Sequence, residues 1–253
     1  MPKVILSKIS TKAPKNADKK SVVKKTAELA TKIGKMSEML WAEKKHSLLV
    51  ILQGMDGSGK DGVAKSVFMA CPALVIDAHA FKKPSEEEFA HDFLWRVHKN
   101  VPAKEQVKLF IRSHYEDILN QRVHQWIDDK NAASRLEAIK KKKKLLVEDN
   151  ETTILKFYLH LSHERQLEKL EERRIDPEKQ WKFNPADFEE SKLWDKYMRY
   201  YEAAINGSVI PWNIVPSDSR WYRNYIVAQK VYDTLKKLNP AFPLLLENGK
   251  NKT

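Results

Sequence analysis

The sequence predicts an α/β fold in which a mostly parallel sheet is covered by helices on both faces. Three observations predict it. Five short apolar runs recur along the 253 residues, and at least one helical segment separates each from the next, as parallel strands joined by crossover helices require. The first run, Leu48 to Leu52, passes almost directly into Gly54-Met55-Asp56-Gly57-Ser58-Gly59-Lys60-Asp61-Gly62, which holds four of the chain's seven glycines. A glycine-rich turn between a buried strand and a helix, closing on Gly-Lys, lets backbone N–H groups and one ammonium hold a chain of phosphates. The length suits one α/β domain with a full core and does not demand two.

Taken in order, residues 1–20 are lysine-rich and read as a flexible, solvated tail. Leu29, Ile33, Met36 and Leu40 recur at helical spacing and mark an amphipathic helix that leads into the first strand. After the glycine turn, Lys60 to Ala70 is compatible with a helix, and the further strands fall at Leu74 to Ala78, Val107 to Ile111, Thr153 to Leu159 and Asn213 to Val215. Ser85 with Glu88, and Ser113 with Glu116, fit the capping box. The first of these helices is expected to bury Phe89, Phe93 and Val97, and the second Tyr115, Ile118, Leu119, Val123, Trp126 and Ile127. Lys140 to Lys144 read as an exposed turn or helix end. Asn184-Pro185 starts another helix, with Leu193, Tyr197, Tyr200 and Ala204 as its apolar stripe. The organisation is therefore one domain over 21–240 with a lid at about 162–190, and a C-terminal tail over 241–253.

The net charge of +12, from 46 basic and 34 acidic residues, favours a polyanionic partner: nucleic acid, nucleotide or inorganic phosphate chain. No apolar run approaches the ~20 residues of a membrane span, and the lysine-rich start has no apolar core, so neither insertion nor secretion is expected. Cys71 stands alone, which permits no internal disulfide and fits a reducing cytoplasm.

The motif departs from G-x-x-x-x-G-K-[ST] in carrying Asp61 where a magnesium-binding hydroxyl normally stands. In an open α/β sheet, ligands gather at the carboxyl ends of the strands, which ties distant residues to one place. Lys82 and Lys83 follow the second strand, Arg112 ends the third, and Ser162 to Arg165 follow the fourth. Arg112 can grip a phosphate bidentately, or it can be a surface arginine paired with Glu116 or Asp117. The charged segment from Ser162 through Arg173 and Arg174 to Trp181-Lys182, broken at Asp176-Pro177, fits either a lid that closes over phosphates or an exposed helix laced with ion pairs. His79, His91, His114, His160 and His163 have no metal-ligand spacing and read as structural.

Together these residues resemble the polyphosphate kinase 2 family. The resemblance rests on Gly54 to Gly62, Phe81-Lys82-Lys83-Pro84, Asp92-Phe93-Leu94-Trp95-Arg96 and Arg112-Ser113-His114-Tyr115-Glu116-Asp117. Leu161-Ser162, Gln166, Arg173, Asp176-Pro177, Trp181-Lys182, Asp187 and Pro211-Trp212 follow in the family's order, so it covers about residues 25 to 240. It implies a P-loop three-layer α/β/α sandwich, thymidylate-kinase-like, with a helical lid. The implied activity is reversible transfer of a terminal phosphoryl group between inorganic polyphosphate and a nucleotide, AMP or ADP, with magnesium as the cofactor and manganese as the alternative ion. On that pattern Asp56 organises metal and phosphates, and Asp56, Lys60 and Arg112 are catalytic. Gly57, Ser58, Gly59, Lys60, Asp61, Lys82, Lys83, Arg112, Arg122 and Arg173 bind phosphates, and Arg173 and Lys182 belong to the lid and nucleotide side. Many members carry an acid or amide before the arginine of the Arg-Ser pair, where this chain has Ile111, which cannot ligate magnesium. The wording of the motifs is closer to the group accepting both AMP and ADP.

The implied partners are inorganic polyphosphate and adenine or guanine nucleotides, in a homodimer or homotetramer, with no membrane and no specific nucleic acid. The sequence also admits two rival readings. An ATP-dependent nucleoside monophosphate kinase would share the P-loop and lid, and a non-enzymatic nucleic-acid-binding protein would use the basic surface without turnover.

Overall fold

The computed structural model describes residues 3–244. Five strands form one sheet: β1 (Ser47–Gln53), β2 (Ile76–Ala80), β3 (Val107–Ile111), β4 (Thr152–His160) and β5 (Trp212–Pro216). Their spatial order is β2-β3-β1-β4-β5, and every neighbouring pair is parallel. The first strand thus occupies the centre, which is why all seven of its residues are buried and why Leu48 to Leu52 form a continuous apolar run.

Alternation along the strands divides the core into two layers. Leu48, Val50 and Leu52 of β1, with Leu155, Phe157 and Leu159 of β4, face one side. That side is closed by α1 (Lys19–Glu43), α2 (Lys60–Phe68) and α10 (Arg220–Leu238). Leu49 and Ile51, with Ile154 and Tyr158, face the other, against α5 (Glu116–Val123), α6 (Asp129–Glu148) and α9 (Trp194–Asn206). The chain is a P-loop three-layer α/β/α sandwich, as the sequence predicts, with the sheet parallel throughout.

Several local expectations are corrected. Residues 3–18 are not a solvated tail: Leu6 enters the core, and His160 Nε2 lies 3.1 Å from the carbonyl oxygen of Leu6 and 3.2 Å from that of Ile9. Thr11 Oγ1 donates to Asp218 Oδ2 at 2.6 Å, so this arm lies over the carboxyl end of the sheet. Of the expected tail at 241–253, positions 245–253 lie outside the described residues.

The capping box at Ser85 and Glu88 forms, but its helix α3 (Glu86–Ala90) is a single turn that buries nothing, and Phe89 is exposed. Val97 is buried from a separate turn, α4 (Trp95–His98). At Ser113 the box does not form, because its members have other partners. Ser113 Oγ donates to Gln53 Oε1, while Gln53 Nε2 donates to Glu116 Oε1 at 2.7 Å, and α5 starts with Tyr115 in the cap position. Trp126 is exposed, whereas Tyr115, Ile118, Leu119 and Val123 are buried as expected. Of the Lys140–Lys144 run, Lys142 and Lys143 are buried in mid-helix rather than solvated.

Between β4 and α9 the charged segment forms α7 (His163–Ile175), one 3-10 turn at Gln180–Lys182, and α8 (Ala186–Ser191). Asp176 is extended, with ψ 114°, as a residue before proline must be, and α7 stops there.

Candidate active site

One cleft of about 1540 Å³ opens at the carboxyl ends of the strands. Asp56, Gly57, Gly59, Lys60, Asp61, Lys82, Arg112, Arg173 and Lys182 all line it, so most of the expected site comes together. Twelve basic and six acidic side chains line its walls. That excess of six positive charges is half of the chain's formal +12.

The floor is the loop between β1 and α2. Gly57 and Gly59 have φ of +83° and +86°, a left-handed backbone that side chains resist, and Gly59 caps α2. The first-turn N–H groups of α2 have no intrahelical acceptor and point out of the helix start, where an anion is favoured. Ser58 is fully buried beneath the loop. Lys60 curls over it: Nζ donates to the carbonyl oxygens of Gly54 at 2.7 Å and Met55 at 3.1 Å. Burial pushes its pKa down to about 8, against the pull of Asp56, and it stays mostly protonated at neutral pH.

Arg112 is fixed by the strand end. Its N–H bonds Leu52 O at 3.0 Å, and its φ of +63° swings the side chain across to Asp56, where Nη2 donates to Oδ1 at 2.5 Å. Burial raises the Asp56 pKa, but Lys60, Arg112 and Arg173 outweigh it and hold the carboxyl below its ordinary value. The surface pairing of Arg112 with Asp117 is not seen: Asp117 is held by Arg96 through both oxygens at 3.2 Å. Arg96 also donates to the carbonyl oxygen of Lys82 at 2.9 Å and so anchors the loop that carries Lys82.

The lid faces this floor. Arg173 Nη1 donates to Asp187 Oδ2 at 2.8 Å, and Lys182 Nζ donates to Asp61 Oδ2 at 3.0 Å. Within α7 itself Glu171 pairs with Arg174 and Glu172 with Lys169, so the ion-paired helix of the charged segment is present.

Three expected phosphate-binding residues do not line the cleft: Ser58 is fully buried within the loop, and Lys83 and Arg122 fall elsewhere. Lys83 is exposed and does not line the cleft. Arg122 lines a small separate cavity between α5, α6 and α9, pairs with Asp129 at 2.6 Å and stacks over Tyr200, so it is not brought to the phosphates. Among the cleft residues to which the sequence assigns no role are Asp187 and Arg223. Asp187 enters the sequence pattern only by its place in the order of motifs. Arg223 follows the fifth strand, where the strand-end rule applied to the other four would have found it.

Asp187 bears on whether the cleft suits a metal ion. Burial and the neighbouring Asp56 push its pKa up, against Arg173 and Arg112, so two carboxylates stand close enough to repel. No cluster of three acidic, histidine or cysteine ligands exists among the described residues. Magnesium needs none, since it is commonly held by one or two carboxylates with substrate phosphates and water. The donor set of Asp56 and Asp187 fits such an ion.

A glycine-rich loop at the centre of a parallel sheet, faced by a strand-end arginine and a basic lid, defines a P-loop phosphotransferase class of site. Comparison with known proteins narrows it. The family model described as Polyphosphate kinase 2 matches residues 16–243, and the chain belongs to that family. It is 40% identical over 228 residues to the AMP/ADP-polyphosphate phosphotransferase of Meiothermus ruber, spanning 89% of this chain and 85% of that protein. It is 34% identical over 227 residues to the ADP-polyphosphate phosphotransferase of Rhodopseudomonas palustris, spanning 84% and 78%. The crystal structure of polyphosphate kinase 2 from Arthrobacter aurescens TC1 superposes with a TM-score of 0.92 at 35% identity, covering 95% of this chain and 88% of that one.

Proposed function

We propose that this enzyme moves the terminal phosphoryl group of inorganic polyphosphate onto AMP and ADP, giving ADP and ATP, and runs the reverse transfer as well. The observation that carries it is the cleft. Its excess of six positive charges extends from the P-loop into the lid, more than the phosphates of one nucleotide require. The name of the Meiothermus ruber relative, an AMP/ADP-polyphosphate phosphotransferase, supports the acceptor range.

In the forward direction an acceptor phosphate oxygen attacks the terminal phosphorus in line. The bridging oxygen leaves with a chain shorter by one unit. The acceptor oxygen is already ionised at neutral pH, so no strong general base is needed. Lys60 and Arg112 offset charge on the transferring group, while Arg173 and Lys182 close from the lid and exclude water. Asp56 orients Arg112 and, with Asp187, would hold magnesium, which when bound supplies charge to the phosphate oxygens.

The test is to incubate the protein with magnesium and long-chain polyphosphate, with AMP and ADP in separate reactions, and to resolve the nucleotides by chromatography. ADP and ATP are expected. Turnover only with ATP as donor would replace this reading by a nucleoside monophosphate kinase. Salt-sensitive RNA or DNA binding without turnover would replace it by a nucleic-acid-binding protein.

A further inference from the structure

Arg223, in the first turns of α10, is a buried cation that the transfer scheme above does not use. It is 5% exposed, yet it lines the cleft. Nη1 donates to the carbonyl oxygen of Ser58 at 2.8 Å, and Nε and Nη2 donate to Asn224 Oδ1 at 3.2 and 3.1 Å. Its guanidinium lies directly against the P-loop: a Cβ added to Gly59 would stand 2.6 Å from its Cζ, and one added to Gly62 would stand 3.2 Å from its Nη2.

Among the described residues no carboxylate pairs with it, unlike Arg112, Arg173 and Lys182 across the cleft. Its charged neighbour is Arg220, of the same sign, which with burial lowers its pKa to about 10 and leaves it charged at neutral pH. A guanidinium has five N–H donors, and three are engaged here. The other two, one on each terminal nitrogen, have no acceptor among the described residues. A buried cation with spare donors and no counter-charge is costly to maintain unless an anion completes it.

We propose that Arg223 is a phosphate-binding residue of this site, contacting a non-bridging phosphate oxygen at the P-loop from the α10 side, opposite Arg112. Its bond to Ser58 O sets the position of the guanidinium and of the loop together. The phosphate belongs either to the polyphosphate chain or to the nucleotide, and the experiment separates the two. The proposal rests on the phosphotransferase reading for its ligands, but its test reads binding and not turnover.

The experiment is calorimetric titration of tripolyphosphate and of AMP, in separate arms, into the wild-type protein and into R223K and R223Q, with folding checked by circular dichroism. One arm is expected to weaken at least tenfold in R223Q and about fivefold in R223K, which keeps the charge and loses the planar fork. A weaker tripolyphosphate arm assigns the donor chain, and a weaker AMP arm assigns the nucleotide. Both arms within twofold of wild type in folded protein would overturn the proposal and leave Arg223 as a clamp on Ser58. If R223Q does not fold, R223K decides by the same criterion. Failure of polyphosphate turnover in the wild type, with these binding changes intact, would sink the functional reading and not this one.

Discussion

Lys143 of α6 and Lys156 of β4 converge on one atom, the phenol oxygen of Tyr115, and among the described residues no carboxylate pairs with either. Lys156 Nζ reaches it at 3.1 Å and also contacts Ser208 Oγ; Lys143 Nζ bonds the same phenol. Lys142 and both ring nitrogens of His114 are buried nearby without a partner. Burial pushes Lys156 down to about 7 and Lys142 down to about 8, and it drives Lys143 and His114 well below their ordinary values.

A pH dependence of stability follows from this cluster. Each lysine binds a proton less readily folded than unfolded, where its pKa is about 10.4. Between about pH 7 and 10.5 the unfolded chain therefore carries more protons, and stability rises with pH. The penalty is in full force below the folded values and is gone above the unfolded one. Lys156→Met keeps the length of the side chain and removes the charge. Its melting temperature at pH 7 is expected to exceed wild type by at least ~2 °C, since 1 kcal/mol shifts a domain of this size by about 2–4 °C. Calorimetric scans at pH 7 and 9.5 check it: the gap between the two proteins should close at the higher pH.

Arg112 carries strain and function together. Its left-handed φ of +63° costs about 1 kcal/mol, which asparagine tolerates better than arginine does. Its pair with Asp56 is only part-buried and contributes about as much. Arg112→Asn should therefore change the melting temperature by less than ~4 °C while kcat falls on the order of 10²-fold or more. Steady-state kinetics beside a thermal melt tests the split; a variant of unchanged kcat refutes the role.

Gly59 and Gly62 offer a paired test of the P-loop. At Gly59 the φ of +86° and the approach of Arg223 both oppose a side chain. Gly59→Ala should lose at least ~2 kcal/mol in urea denaturation, with tripolyphosphate binding weakened as well. Gly62 lies inside α2 at an ordinary helical φ, so Gly62→Ala should stay within ~1 kcal/mol of wild type, helix propensity offsetting the contact with Nη2.

The sequence shows the site wherever a local pattern and a strand end coincide. Gly54 to Gly62 after a continuous apolar run, and Arg112 at the end of another, are visible because the central strands are buried on both faces. Arg223 belongs to no motif of its own, and only its place after the fifth strand points to the cleft; it reaches the P-loop across 165 positions to Ser58. The Lys140–Lys144 run misled for a different reason. Ile139 and Leu146 flank Lys142 and Lys143 at three- and four-residue spacing, so helical period places those two inward, but an unbroken run of one charge hides the period. The failed cap at Ser113 shows tertiary contacts overriding a local motif, with Gln53 engaging both of its members.

Asp56 and Asp61 separate by what each touches. Asp61 stands where a magnesium-binding hydroxyl is usual, yet its carboxylate is exposed and accepts from Lys182 of the lid, a pair worth at most ~1 kcal/mol. Asp56 lies between Lys60 and Arg112 and shares its field with Asp187. Asp61→Ser should thus change kcat/KM less than tenfold and leave the magnesium concentration for half-maximal rate nearly unchanged, because lid closure loses one weak contact. Asp56→Asn should lower kcat by ~10²-fold or more, and Asp187→Asn should raise the magnesium requirement, since in the proposed site each would replace a carboxylate that holds the ion by a neutral amide. Rates measured across a magnesium titration, after removal of metal by chelation, distinguish the three. A strong rise in the magnesium requirement for Asp61→Ser alone would move the ion from the Asp56–Asp187 side of the cleft to the start of α2.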